Sequence, residues 1–188
     1  MSLAEVRAAA NVSEQEFAAH FPDRDALATA FLERREREWT IGIVEAGARE
    51  RGNTPEERLL AIFDVFDDWF HRDDYEACTF INVMLEMGKE HPLGLASAQY
   101  LVHIRHIVAT FAREANLRDP DEFAMSWHIL MKGSIINAVE GDHKAARRAK
   151  AMAAQLIREH RLPTASQPGP LTLDPSDEDW FEFGDYFH

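Results

Sequence analysis

Two short strings, Thr54-Pro55-Glu56-Glu57 and Asp119-Pro120-Asp121-Glu122, constrain the fold more than any other feature of the chain. Each sets a small oxygen-bearing side chain before a proline and places a glutamate three positions after that first residue. The first residue accepts from the orphan backbone N–H groups of a helix start. Proline suits the first helical position, and the glutamate answers the cap. Ser13-Glu14-Gln15-Glu16 shows the capping-box pattern without the proline. Asp23 is placed to cap a helix spanning 24–51, which Gly52 ends.

Between such signals the apolar residues recur at helical spacing, and no segment alternates at the period of a strand. The pattern predicts an all-α chain. Two very short helices, 3–9 and 14–20, stand before the long one. Further helices follow over 54–71, 77–87 (stopped by Gly88), 93–116, 119–140 (stopped by Gly141) and 142–160. Past Pro163 the composition turns to Pro, Ser, Thr and Gly, which reads as a linker. The expected organisation is a head (1–31), a helical bundle (32–162) and an acidic, aromatic tail (163–188), expected to be flexible.

Charge narrows the function classes. The net charge is −13, and Asp174, Asp177, Glu178, Asp179, Glu182 and Asp185 lie in a stretch with no Lys or Arg. A broad nucleic-acid surface is excluded, so any DNA contact comes from a small patch. No apolar run approaches the roughly 20 residues a membrane span needs. The first residues lack the basic and apolar regions of a secretory signal. A lone cysteine, Cys78, rules out an internal disulfide, fits a reducing cytoplasm and reads as a small buried hydrophobe. The expected location is cytoplasmic.

The front segment carries the sharpest motif. Leu3, Val6 and Ala10 share a helix face. Asn11 stands where a left-handed residue is wanted, Val12 plugs the turn, Ser13 caps, and Phe17 and Phe21 return to the same core. This is the layout of a helix-turn-helix, whose second helix enters the major groove by its N-terminal end. With Val12-Ser13 and the string His20-Phe21-Pro22-Asp23-Arg24-Asp25-Ala26-Leu27 ahead of a long helix, the chain resembles the TetR family of bacterial transcription regulators. The resemblance implies a DNA-binding head, a ligand-binding body and a homodimer formed mainly by the last two helices.

Several positions depart from the family pattern. Family members usually carry a further helix before the equivalent of Leu3, and this sequence starts there. The family commonly has Gly at Asn11, small residues at Gln15-Glu16, Tyr at Ala18 and Lys at Arg24. Arg24 keeps a phosphate-seeking charge, whereas Ala18 removes a hydroxyl, and Glu14 and Glu16 repel phosphates.

The residues expected at DNA are Arg7, Ser13, Glu14, Gln15, Ala19, His20 and Arg24. Gln15 has the donor–acceptor pair that reads adenine. Glu16 fits the capping box better than a base contact, and His20 fits a phosphate contact or a helix end equally. The effector pocket is expected among Phe66, Trp69, Phe80, Asn82, Met84, Tyr100, His103, Trp127 and His128, an apolar set with a few polar groups. The dimer interface is expected on Phe123, Leu130, Met131, Ser134, Ile135 and Ala138, with Ala145, Ala149, Met152, Ala153 and Leu156 from the last helix.

His103-x-x-His106 lacks the Cys or carboxylate neighbours of a metal site. Glu140-x-x-His143 is broken by Gly141-Asp142, so the di-iron pattern fails. No nucleophile triad, phosphate loop or cysteine pair is present, and neither a cofactor, a metal nor an enzyme activity is expected. Two readings follow. One is a regulator, in the repressor sense, that binds operator DNA as a homodimer and answers a small apolar or amphipathic effector. The other is a TetR-like dimer whose head no longer binds DNA and which serves as a ligand- or protein-binding module. The tail's alternation of acids with aromatics fits a flexible segment, or one that docks on the body.

Overall fold

A single rod of helix leads from the head into the body and organises everything around it. In the computed structural model, which describes residues 2–162, helix α1 (Leu3–Ala10) and α2 (Glu14–His20) precede α3 (Arg24–Arg35). The backbone of α3 continues without a break through a π-helical stretch, Glu36–Glu45, into α4 (Ala46–Arg51). The expected helix over 24–51 is therefore one rod with a widened middle. That middle gathers Thr40, Ile41, Gly42, Ile43 and Val44, residues that favour the α-helix least among ordinary side chains.

The bundle follows as α5 (Pro55–Phe70), α6 (Thr79–Met87), α7 (Pro92–Glu114), α8 (Pro120–Val139) and α9 (Ala145–His160). Among the described residues, extended pairing is limited to one isolated antiparallel bridge between Leu117 and Arg161.

The caps explain most boundaries. Thr54 accepts from the Glu57 N–H at 3.2 Å while Glu57 accepts from the Thr54 N–H at 3.0 Å, closing a full capping box. Ser2 and Glu5 close a second at the start of α1. Ser13 accepts from the Glu16 N–H at 3.2 Å, but Glu16 makes no return bond, so the expected box over 13–16 is half formed. Asp119 differs more. Its backbone is left-handed (φ 49°) and its side chain caps nothing, so Pro120 and the acidic first turn mark that start. The last helix begins at Ala145, because Gly141 turns the chain (φ 98°) and Asp142 accepts from the Lys144 N–H at 2.9 Å instead of opening a helix.

The core lies around α5, which packs against α4, α7 and α9. Phe63, Phe66, Phe111, Phe123 and Trp127 are fully buried in it. Phe63 and Phe123 flank Trp127 with ring centroids 5.3 and 5.2 Å away. Each such side chain contributes roughly 1.5–3 kcal/mol through removal of apolar area from water. The tightest backbone approach is between α6 and α7. A Cβ on Gly94 would stand 1.9 Å from the Gly88 carbonyl oxygen, so only glycine lets the first turn of α7 close over the end of α6.

Candidate functional site

The head has the turn geometry of a helix-turn-helix. Asn11 adopts the left-handed conformation (φ 55°, ψ 44°) at the end of α1, and its N–H reaches the Ala8 carbonyl. Ser13 then starts α2 in extended backbone. Of α2 only Phe17 is buried, stacked on Phe21 with centroids 5.4 Å apart. Glu14, Gln15, Ala18, Ala19 and His20 all face solvent, so the outer face of α2 is available along its length.

The electrostatics of that face are mixed. Arg7 donates to Glu14 at 2.6 Å, tying the one cation of α1 to the first carboxylate of α2. Hydrogen bonds from the Ser2 backbone and hydroxyl hold the Glu5 carboxyl below its ordinary range, so it stays charged. Arg24 is exposed and, among the described residues, has no carboxylate partner. Leu3, Val6, Leu27, Ala28 and the half-exposed Phe31 line an open groove of about 340 Å³ beside it.

A second site lies inside the body. Trp39 and Thr40 from the π-helical stretch, Phe66 from α5, Phe80 and Ile81 from α6, Tyr100 from α7, and His128, Met131 and Lys132 from α8 line a cavity with Cys78. Its free volume is about 20 Å³, room for one water. Of the residues expected around an effector, Phe66, Phe80, Tyr100 and His128 line this cavity. The other expected pocket residues do not line it. Asn82 and His103 are solvent-exposed, and His103 binds the buried carboxylate of Glu36 instead. Trp127 is sealed in the core with its Nε1–H unpartnered among the described residues. Trp69 is stacked against Trp39, centroids 4.3 Å apart, and Met84 packs on the core outside the cavity.

Helical periodicity missed Trp39, Thr40, Cys78 and Lys132. The first two belong to the rod, where the change to π winding shifts which residues point inward, and a lysine reads as a solvated position. Burial keeps the His128 imidazole neutral, pushing its pKa down to about 3, with the Lys132 and Arg105 charges adding to the effect. Burial likewise pushes the Cys78 thiol up, so the sulfur stays protonated.

The third feature is an outer face on α8 and α9. Leu130, Ser134, Ala145, Ala149 and Met152 line a surface groove of about 320 Å³, and Leu156 lines the adjoining one. Phe123, Met131, Ile135, Ala138 and Ala153 are instead buried in the chain's own core and line neither groove. The apolar residues of α8 surround the helix, so periodicity did not separate its two faces. Exposed on the outside are Met125, Ile129 (71%), Ile136 and Val139, which sequence reasoning left out. Among the described residues no group of three His, Cys, Asp or Glu is placed to hold a metal ion, and no helix is long and apolar enough to cross a membrane.

No protein-family model matches the chain, and no curated protein matches it. Solved structures do. The TetR-family transcriptional regulator SCO4454 of Streptomyces coelicolor superposes with a TM-score of 0.74 at 18% identity, covering 85% of this chain and 85% of its own. A Streptomyces avermitilis protein, sav143, described as a TetR-type transcriptional regulator, gives 0.71 at 20% identity over 85% and 87%. Helix order, turn geometry and bundle together give this chain the fold of the TetR-family transcriptional regulators.

Proposed function

We propose that the chain is a TetR-like transcription regulator, acting as a repressor. Its α1–α2 head binds operator DNA in a homodimer closed by the outer face of α8 and α9. A small amphipathic effector in the body cavity sets that binding. The observation that carries this reading is α2 itself, a short capped helix held inward by Phe17 alone, with Gln15, Ala19 and His20 outward after a left-handed turn. The rod supplies the coupling. Its α3 end joins the head, and its π-helical middle puts Trp39 and Thr40 on the cavity wall. An effector that binds better to one setting of that rod shifts the population of head spacings.

A second reading, a dimer whose head no longer binds DNA, is favoured by one observation. Arg7 is spent on Glu14, which leaves Arg24 facing Glu5, Glu16, Asp23 and Asp25 in a net acidic head. Fluorescence anisotropy with the protein's own promoter over a salt series separates the two. A regulator binds with an affinity that falls steeply as salt rises, and excess unlabelled promoter competes it away. A folded dimer, verified by light scattering, that shows no promoter preference over random DNA supports the second reading.

A further inference from the structure

The cavity walls are apolar on most sides, but α7 and α8 contribute three polar groups: the Tyr100 hydroxyl, the His128 imidazole and the Lys132 ammonium. His128 is 96% buried by its 4% exposure. Among the described residues, none of the three makes a side-chain hydrogen bond or an ion pair. Of the three, His128 is buried, whereas Tyr100 and Lys132 are half-buried. Among the described residues some cations of this molecule are paired with carboxylates, and others, Arg24 and Arg105 among them, are not. Lys150 lies 2.6 Å from Asp64, Arg147 2.9 Å from Asp67 and Arg58 3.3 Å from Glu114. Among the described residues Lys132 has no such partner.

The field around Lys132 is positive as well. Burial lowers its pKa, and the Arg105 charge lowers it further. Arg105 also has no carboxylate partner among the described residues. Lys132 and the neutral His128 imidazole, with one N–H to give, therefore share the wall of an apolar space, and the Arg105 charge acts on both from outside its lining. Glu36, the nearest buried carboxylate, is already bound to His103. An anion at Lys132 would relieve the repulsion between Lys132 and Arg105 and satisfy the donors.

We infer that the cavity takes an amphipathic monocarboxylate, its head on Lys132 Nζ and the His128 N–H and its apolar body against Trp39, Phe66 and Phe80. One charged donor in a narrow apolar site suits a single carboxylate better than a phosphate, which asks for several donors. With about 20 Å³ free, the ligand binds only a more open conformation, so its apparent affinity is reduced by the fraction of molecules that open. Calling this ligand an effector rests on the regulator reading above, whereas its chemical class rests on the cavity alone.

The test uses the full chain and three probes of equal length, each below its micelle concentration: decanoate, decan-1-ol and decyltrimethylammonium. Isothermal titration and thermal shift are expected to show decanoate binding most tightly. In Lys132→Met its affinity should fall by about tenfold or more, the loss of a charge-assisted hydrogen bond. Decanol binding should be kept in that variant, and Lys132→Arg should retain most of the decanoate affinity. Lys132→Gln repeats the measurement should the methionine variant fail to fold. Equal binding of decanoate and decanol overturns the inference. So does preference for the ammonium, unchanged decanoate affinity in Lys132→Met, or no binding of any probe. Promoter binding is scored separately: a chain that binds decanoate as described but ignores its promoter sinks the regulator reading and leaves this one, and the reverse outcome does the opposite.

Discussion

The head and the body of this chain are held together by different physics. In the body, side chains from the rod and α5–α9 form one continuous buried cluster, centred on Phe63, Phe66, Phe111 and Trp127. In α1 and α2 the only buried side chain is Phe17. The head is shaped instead by local devices: the Ser2–Glu5 box, the left-handed Asn11, the Ser13 cap and the Asp23 cap on Ala26 N–H at 2.8 Å. Caps fix where helices start at about 1 kcal/mol each, but they do not replace a core. The body is thus the stable scaffold, and the head, with its small core, is the part expected to open locally at the lower free energy.

Truncations break this contrast most strongly. Phe63→Ala should cost the body roughly 3–5 kcal/mol, read as a lower denaturant midpoint of the global transition. Phe17→Ala should leave that midpoint nearly unchanged while lowering helical content and abolishing promoter binding. A global loss of similar size from both would erase the distinction.

Acid sharpens it next. His128 is neutral in the folded body, with a pKa of about 3 against an ordinary value near 6.5. The unfolded chain therefore binds the extra proton between those values. The stabilisation is complete above about pH 6.5 and is lost as pH falls towards 3, on the order of 1.4 kcal/mol per unit. Urea midpoints measured from pH 7 to 4 should fall steadily, and His128→Phe should flatten the fall. A flat wild-type profile contradicts this.

The caps come after. Thr54→Ala should lower global stability by about 1 kcal/mol, since α5 is central, whereas Ser13→Ala should cost a similar amount only locally, seen as faster amide exchange in α2. The smallest effect is at the exposed pair. Glu14→Gln should change stability by less than about 0.5 kcal/mol. It frees Arg7 and removes a negative charge from α2, so promoter affinity should rise several-fold and the salt dependence steepen by about one phosphate contact.

The legible and illegible parts of the sequence divide along similar lines. Cap chemistry is local, so Thr54-Pro55 and the turn at Asn11 could be read directly. Asp119-Pro120 marked a real start, but its aspartate serves the turn and not the cap. Long-range choices were hidden. Whether Met131 and Ile135 face the chain's own core or a second chain depends on which side of α8 meets the bundle, and α8 is apolar around its circumference. The inward turn of Trp39 and Thr40 depends on π winding that no spacing rule anticipates. Lys132 was passed over because its surroundings, not its type, make it part of the cavity.

Native-state hydrogen exchange, with and without promoter DNA, tests the central claim most directly. The account predicts that α1 and α2 amides exchange rapidly in the free protein and slow markedly with DNA, while α5 and α7 amides are slow in both. Equal protection of α2 and α5 in the free protein, or an α2 that DNA leaves unchanged, would contradict it.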